Sequence, residues 1–226
     1  MNWVLENLDL IGRLSLEHIR LSLVPIVAGL LISVPIGWLA FRFQPARGVI
    51  LTVTGLLYTI PSLALFVILP PLLGISYLSE LNVVIALTIY VIAIMSRSVA
   101  DGLGSVEPAT RQAAIAMGYA PWRRFWTVDF PLAGPVILSG LRVAAASTVS
   151  LVTIGILIGV ESLGYLFTNG YQRRIVPEIF AGVIMVMLIA LVIDVVLMLA
   201  GRMLLPWARA TTESTTPARE RMVEAA

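Results

Sequence analysis

Few side chains in this sequence could carry covalent chemistry. Cysteine and lysine are absent, and His18 is the only histidine among 226 residues. A Walker phosphate loop needs a lysine, thiol chemistry needs a cysteine, and a metal site needs several ligands close together. We therefore expect no Walker-type ATP site, no thiol chemistry, no metal and no cofactor.

Asp194 is the clearest ionisable residue within a long apolar stretch, LIALVIDVVLMLAG. A carboxylate inside a membrane is costly, so it usually faces the interior of a helix bundle or a water-filled cavity. Two interpretations are open. Asp194 lines a polar translocation path, or it bonds a neighbouring helix.

A second polar feature interrupts an apolar run at Tyr58, Thr59, Pro61 and Ser62. Pro61 has no N–H, so the carbonyl of Leu57 loses its helical donor. Freed backbone polarity is tolerated in a membrane where it meets protein or lines a cavity. The break predicts either a translocation path, with the Tyr58 ring facing a cation, or a packing kink.

The elements that must position these groups are membrane helices. The chain is 59% hydrophobic and only 12% charged, with a mean hydropathy of +0.97, too few charges for a water-exposed surface. Apolar runs of about 20 residues predict an all-α membrane protein with about five transmembrane helices. The predicted spans cover residues 19–41, 49–73, 81–97, 136–160 and 178–204.

The remaining chain predicts three regions. Residues 1–18 place apolar side chains among polar ones and indicate an amphipathic segment at the membrane interface. Residues 19–205 form the transmembrane domain, and the polar residues 206–226 predict a disordered cytoplasmic tail.

Arginine distribution predicts the orientation, because basic residues favour the cytoplasmic side. With the N-terminus outside and the C-terminus inside, four arginines fall outside and the other eleven fall inside or near the inner interface. The outer four are Arg13, Arg20, Arg173 and Arg174.

Small residues within the spans predict close helix contacts. Gly29, Ser33 and Gly37 recur every four residues, and Gly155 and Gly159 form a GxxxG pattern. Each ridge packs either within this chain or against a second subunit. Glu161 and Glu178 lie at span ends, where we expect them to be solvated or to contact an external partner.

Residues 101–135, which we name the coupling loop, separate the third and fourth spans on the arginine-rich side. Pro108 suits the first turn of a helix, and Gly118 suits the left-handed position after its end. Pro121 then begins a second helix, and Pro131 and Pro135 are expected to end the unit.

The short helix presents a face of small residues, Ala109, Ala113 and Ala116, that permits close approach of another surface. An ordinary interfacial loop helix, held by Trp122 and Trp126, is the alternative.

The spacing of this loop resembles a known signature. Gln-Ala-Ala, three residues, Gly, nine residues, then Val-Asp-Phe-Pro is similar to EAA–x3–G–x9–I–x–L–P of the permease subunits of binding-protein-dependent ABC importers. Their loop forms a coupling helix that docks on an ATPase subunit. Gln112 replaces the usual glutamate, which removes a charge. The resemblance implies these ATPase-coupling residues: Arg111, Gln112, Ala113, Ala114, Gly118 and Pro131.

Residues 15–205 further resemble the glycine betaine/carnitine/choline branch, through YTIPSLALFVILPPLLG, MSRSVADGLGSVEPATRQAA and PLAGPVILSGLRVA. The resemblance implies a type I, methionine-importer-like permease fold in the bacterial cytoplasmic membrane. It also implies ATPase subunits, a second permease copy or paralogue and an extracytoplasmic substrate-binding protein, with no nucleic acid partner. The implied cargo is a small zwitterionic or quaternary ammonium solute such as glycine betaine, choline, carnitine or a proline-like compound. An importer of another small solute and a self-contained secondary transporter are the alternatives.

Overall fold

The computed structural model describes residues 2–209, which form helices and loops without a β-strand. Four helices are long and apolar enough to cross a membrane, or five with a bent pair counted as one span, which confirms the predicted class. In chain order the helices are α1 (Asn2–Glu6), α2 (Leu8–Arg42), α3 (Gln44–Thr59), α4 (Ser62–Leu73), α5 (Glu80–Gly104), α6 (Pro108–Ala116), α7 (Pro121–Arg124), α8 (Phe130–Val152), α9 (Gly164–Arg173) and α10 (Val176–Leu204). The predicted tail begins with a 3-10 turn (Pro206–Arg209) and otherwise lies outside the described residues.

The first long helix, α2, contains most of the predicted amphipathic segment as well as the first span. Its 35 residues extend about 52 Å at 1.5 Å per residue, well beyond an apolar layer about 30 Å thick. Ile11, Leu14 and His18 are buried against the rest of the protein. His18, expected at the interface, is fully buried, and its Nε2 lies 3.0 Å from the Val149 carbonyl oxygen. An interfacial position for residues 1–18 stays a prediction.

The core forms where α2, α5 and α8 pack together. A Cβ added at Gly29 would lie 2.4 Å from the Val91 Cβ, and one at Gly37 would lie 2.6 Å from the Val99 Cβ. Only glycine therefore allows α2 to approach α5 this closely. The ridge of Gly29, Ser33 and Gly37 therefore packs within the chain, as the first of its two alternatives expected.

The second ridge, Gly155 and Gly159, lies in a 3-10 segment (Thr153–Ile158) and its end rather than in an α-helix. Gly155 is buried near Val83, and Gly159 adopts φ +84°, a left-handed conformation that favours glycine. These glycines turn the chain toward α9 and form no helix-packing ridge.

Pro131 and Pro135 do not end the coupling loop, which corrects the prediction. The helix continues from Pro121 to Ile158 because a π-helical turn (Phe125–Asp129) joins α7 to α8. In this turn the Phe130 N–H donates to the Phe125 carbonyl, five residues back, and Pro131 follows at the start of α8. Such wider turns re-align the hydrogen-bond ladder where a proline removes a donor.

The last long helix, α10, packs along α8 and exposes most of its surface. Only 6% of its most apolar stretch is buried within the chain. A Cβ at Gly201 would lie 2.1 Å from the Leu138 Cδ2, and one at Gly134 would lie 2.5 Å from the Leu205 Cδ2. The two helices are therefore in close antiparallel contact near the coupling loop, and the rest of α10 faces outward.

Candidate functional site

The short helix predicted between the third and fourth spans is present as α6. Pro108 occupies its first turn, and Gly118 has φ +80°, as its predicted left-handed position requires. The Glu107 side chain makes no capping hydrogen bond, whereas the Ser105 hydroxyl donates to the Gly102 carbonyl at the end of α5. Pro108 and Gly118 therefore set the limits of this helix, without a side-chain cap.

The outer surface of α6 is exposed within the described residues 2–209. Ala109, Gln112, Ala113 and Ala116 are exposed, whereas Ala114 is buried. Large apolar side chains beside this face are also exposed: Ile115 at 55%, Met117 at 69% and Trp122 at 69%. An apolar, small-residue face at a water-exposed end is typical of a protein docking surface.

Arg111 points inward, unlike its neighbours. Its Nε lies 2.9 Å from the Asp129 Oδ1, its Nη2 donates to the Leu103 carbonyl, and its guanidinium lies 4.8 Å from the centre of the Phe41 ring. Arg124 binds the other oxygen of Asp129 at 3.1 Å. This arrangement, which we name the charged brace, is Arg111, Asp129 and Arg124.

Asp129 is only 3% exposed, so the charged brace is a buried contact between α6 and the π-helical turn. The arrangement fixes the position of α6 against the membrane helices. Sequence reasoning missed Asp129 and Arg124 as site residues. A carboxylate among the apolar residues of WTVDFP, shortly after Arg123 and Arg124 in the chain, was the available signal.

Aromatic side chains surround Phe125 next to the brace. Its ring packs edge-to-face on Trp38 of α2 and on Trp126, and it stacks on Trp122. Pro131 lies beside this cluster and lines an apolar cavity of about 930 Å³ between α2, α8 and α10. Pro131 thus belongs to the support of the coupling loop and not to the exposed face of α6.

The break at residues 58–62 is much sharper than a kink, because α3 and α4 meet at 104°. Tyr58 and Thr59 end α3 and are exposed, and Ser62 begins α4 after Pro61. The hydroxyl of the buried Tyr90 on α5 donates to the Ile60 carbonyl at the bend.

Tyr90 also packs edge-to-face on Tyr58, with ring centres 5.7 Å apart. Sequence reasoning missed Tyr90 as a site residue, because no pattern among its neighbours in the chain points to a contact with the bend.

The second half of the bent span is held by the same helix. Pro70 has no N–H, so the Phe66 carbonyl four residues earlier lacks its helical donor. The fully buried Asn82 of α5 donates its amide to that carbonyl at 2.8 Å. The α5 helix therefore satisfies two carbonyls of the bent span, one at the bend and one freed by a proline.

Asp194 bonds a neighbouring helix. Its two carboxylate oxygens accept from the Arg142 Nε and Nη2 at 2.6 and 2.7 Å, a bidentate ion pair between α8 and α10. The sequence interpretation placed Arg142 near the inner membrane interface. The structure places it in α8, paired with Asp194, and its depth in the membrane stays a prediction.

The candidate path residues lie on two different helix pairs. Tyr58 and Thr59 lie where α3 packs against α5, whereas Asp194 lies where α10 packs against α8. Among residues 2–209, no hydrogen bond or ion pair joins the two groups directly.

The acidic residues at span ends differ from one another. Glu161 is exposed and binds Arg13 at 2.9 Å, as expected of a solvated residue. Glu178 is fully buried and accepts from the Asn169 amide at 2.6 Å, which corrects its predicted solvation.

Comparison with known proteins agrees with this geometry. Residues 26–210 match the family described as "Binding-protein-dependent transport system inner membrane component". The chain is 31% identical to the osmoprotectant import permease protein OsmW of Salmonella typhimurium, over 86% of this chain and 91% of that protein. It is 33% identical to the choline transport system permease protein OpuBB of Bacillus subtilis, over 84% of this chain and 86% of that protein.

A solved structure shares the fold. The inward-facing MetNI methionine ABC transporter superposes with a TM-score of 0.79 over 88% of this chain and 98% of that chain, at 19% identity. The family match covers most of the chain, and the relatives match nearly end to end. The chain therefore belongs to the inner membrane components of binding-protein-dependent transport systems, the permease subunits of ABC importers.

Proposed function

We propose that this chain is the translocation subunit of an ATP-driven importer for compatible solutes. The cargo class is a small zwitterionic or quaternary ammonium solute: glycine betaine, choline, carnitine or a proline-like compound. The names of the relatives support this class. The coupling role rests on one observation: α6 lies outside the membrane helices and exposes a face of small and apolar residues.

In this proposal the permease hydrolyses no ATP itself. An ATPase subunit binds the exposed face of α6 through Gln112, Ala113 and the turn at Gly118, and the complete importer has two such subunits. Ala114 packs the helix onto the protein, and the charged brace transmits its movement to α8. Arg111 and Pro131, predicted as coupling residues, then act by positioning α6 and not by direct contact.

The translocation path uses the bent span and Asp194. Tyr58 is exposed at the bend, where its ring can face a cation, and Thr59, Pro61 and Ser62 present backbone and hydroxyl groups. These residues of one chain cannot enclose a lumen, since a polar path needs protein on every side. A second permease copy or paralogue therefore completes it.

Asp194→Asn separates its two roles. If Asp194 lines the path, transport falls while the complex still assembles, and loss of assembly would assign it to packing alone.

The orientation places the N-terminus outside and the C-terminus inside. Then α6 faces the cytoplasm, and the chain between α9 and α10 lies at the opposite end. That outer end, with exposed Glu161, meets the substrate-binding protein.

Gly118 gives the sharpest test, because a Cβ there meets no atom within 4 Å. Gly118→Trp projects bulk toward the partner without a clash inside the chain, so we expect loss of ATPase subunits on copurification and loss of uptake. Gly118→Ala is the matched control, since it adds the same backbone strain without the bulk.

A permease with Gly118→Trp that still binds ATPase and transports normally would contradict the coupling role. Uptake by the purified chain alone, driven by an ion gradient, would favour a secondary transporter.

A further inference from the structure

The Arg142–Asp194 ion pair lies within two membrane helices and yet is not enclosed by the part of the chain that the structure describes. The two side chains are 41% and 35% exposed. Charged side chains within a bilayer almost always face the bundle interior or a water-filled cavity, because hydrocarbon solvates them poorly. Something other than lipid therefore covers this face in the working transporter.

We propose that the outward face of α8 between Ser139 and Ser150, bordered by the Arg142–Asp194 pair, lines the water-filled translocation path. This inference rests on the proposed function and extends it to a helix that carries none of the predicted path residues. The partial exposure of the ion pair is the main observation behind this proposal, because the exposed parts of both charged groups would lose their hydration on a lipid-facing surface.

The side chains beside the pair agree with water. Ser139, Arg142, Ala146 and Ser150 follow one another at intervals of three and four residues, so they share one face of α8. All of them except Arg142 are exposed, and Arg142 is half-buried at the edge of this face. Val143 is the single large aliphatic residue exposed there.

The neighbouring α10 shows what a lipid face of this protein looks like. Its exposed residues from Phe180 to Leu199 are all large and apolar. They are Phe180, Val183, Ile184, Met187, Leu188, Leu191, Val192, Val195, Val196 and Leu199. The outward face of α8 carries exposed hydroxyls, whereas these exposed residues of α10 are all apolar, although the two helices share the ion pair between them. This contrast assigns the two faces different surroundings.

The absence of cysteine from the whole sequence makes a direct test possible. Single variants Ser139→Cys, Ala146→Cys and Ser150→Cys place a thiol on the proposed path face, at exposed positions where the change in size is small. Leu188→Cys and Val192→Cys are controls on the exposed face of α10. Counting along the antiparallel register from the Leu138–Gly201 contact, these controls lie at about the depth of Ala146 and Ser150.

Each variant is assembled with its ATPase and reacted in membranes with a charged, membrane-impermeant thiosulfonate. The thiolate is the reactive form, and an apolar environment raises the pKa of a thiol. One unit of pKa changes the thiolate fraction about tenfold, so we expect the α8 positions to react at least about tenfold faster than the α10 controls. Retained ATPase binding shows that each variant is assembled.

Labelling of α8 no faster than of α10 in an assembled complex would overturn the inference, because the face would then meet lipid or be sealed by a second copy. Failure of the proposed function has a different signature. In that case the cysteine-free parent shows no ATP-driven uptake, whatever the labelling pattern.

Discussion

Two irregular regions of this permease are held in different ways. The coupling loop is fixed to the membrane helices by the charged brace, in which a buried carboxylate joins two arginines. The bent second span is fixed by neutral groups, the Tyr90 hydroxyl and the Asn82 amide, which donate to backbone carbonyls. Both regions carry proline, but the brace lies within the coupling loop, whereas α5 supplies the two groups that hold the bent span.

The difference follows from the solvent around each region. At the end of the helices, water hydrates the exposed fifth of each arginine side chain, which lowers the desolvation cost of a charged contact. Within the apolar layer a charge is costly, whereas a neutral donor removes the cost of a carbonyl without a partner. The four predictions that follow test this contrast from the largest expected effect to the smallest.

Asp129→Asn should have the largest effect, because it leaves Arg111 and Arg124 partly buried without a countercharge. We expect a loss of up to about 3 kcal/mol in stability of the loop and a large fall in ATPase binding. Thermal unfolding of the solubilised complex and copurification measure the two effects.

Asp101→Asn is the matched control, since Asp101 binds Arg47 at 2.7 Å but is 47% exposed. Its loss should cost at most about 1 kcal/mol. Equal effects of the two variants would show that burial of the brace is unimportant.

Asn82→Leu should cost about 1–3 kcal/mol, because the buried Phe66 carbonyl then lacks any donor. Adding Pro70→Ala supplies a backbone N–H to the same carbonyl. The double variant should therefore recover part of the lost stability, measured as a double-mutant cycle in thermal unfolding. Strictly additive effects would contradict our account of Asn82.

Tyr90→Phe removes only the hydroxyl at the bend and should cost about 1 kcal/mol. The ring contact with Tyr58 remains, so packing is preserved. If the bend belongs to the path, the maximal rate of uptake changes while the complex stays assembled. Tyr58→Phe is the control, because Tyr58 is exposed and we expect its hydroxyl to matter less for stability.

Gly118→Asn should have the smallest effect on stability, below about 1 kcal/mol, because asparagine tolerates the left-handed conformation better than other side chains. The Gly118→Ala variant should lose more stability than Gly118→Asn, although the Cβ added by either substitution meets open space. Uptake rates that follow this order would show that conformation matters at the turn, and a reversed order would point to contact with the ATPase.

Local signals predicted the features that depend on backbone chemistry. Pro108 and Gly118 define α6 because each residue type favours one backbone conformation, and Pro61 ends α3 for the same reason. The same logic failed at Pro131 and Pro135, where a π-helical turn lets the helix continue. A proline predicts a missing donor, but not how the neighbouring turns respond.

Pairing between distant residues could not be read from the chain. Arg142 and Asp194 are 52 positions apart, and Tyr90 meets the Ile60 carbonyl from 30 positions away. Glu178 was expected at the surface because its position at a span end says nothing about α9, which covers it.

The sequence by itself determined that lipid surrounds most of the chain, the approximate number of crossings, and the presence between two of them of a short helix begun by proline and followed by glycine. Those properties depend on composition and on residues close in the chain, because hydropathy and backbone preference are local. Only the tertiary structure decided which charges meet, which carbonyls are satisfied and which helix faces stay bare. Those outcomes depend on how helices pack, and packing brings together residues that no local pattern connects.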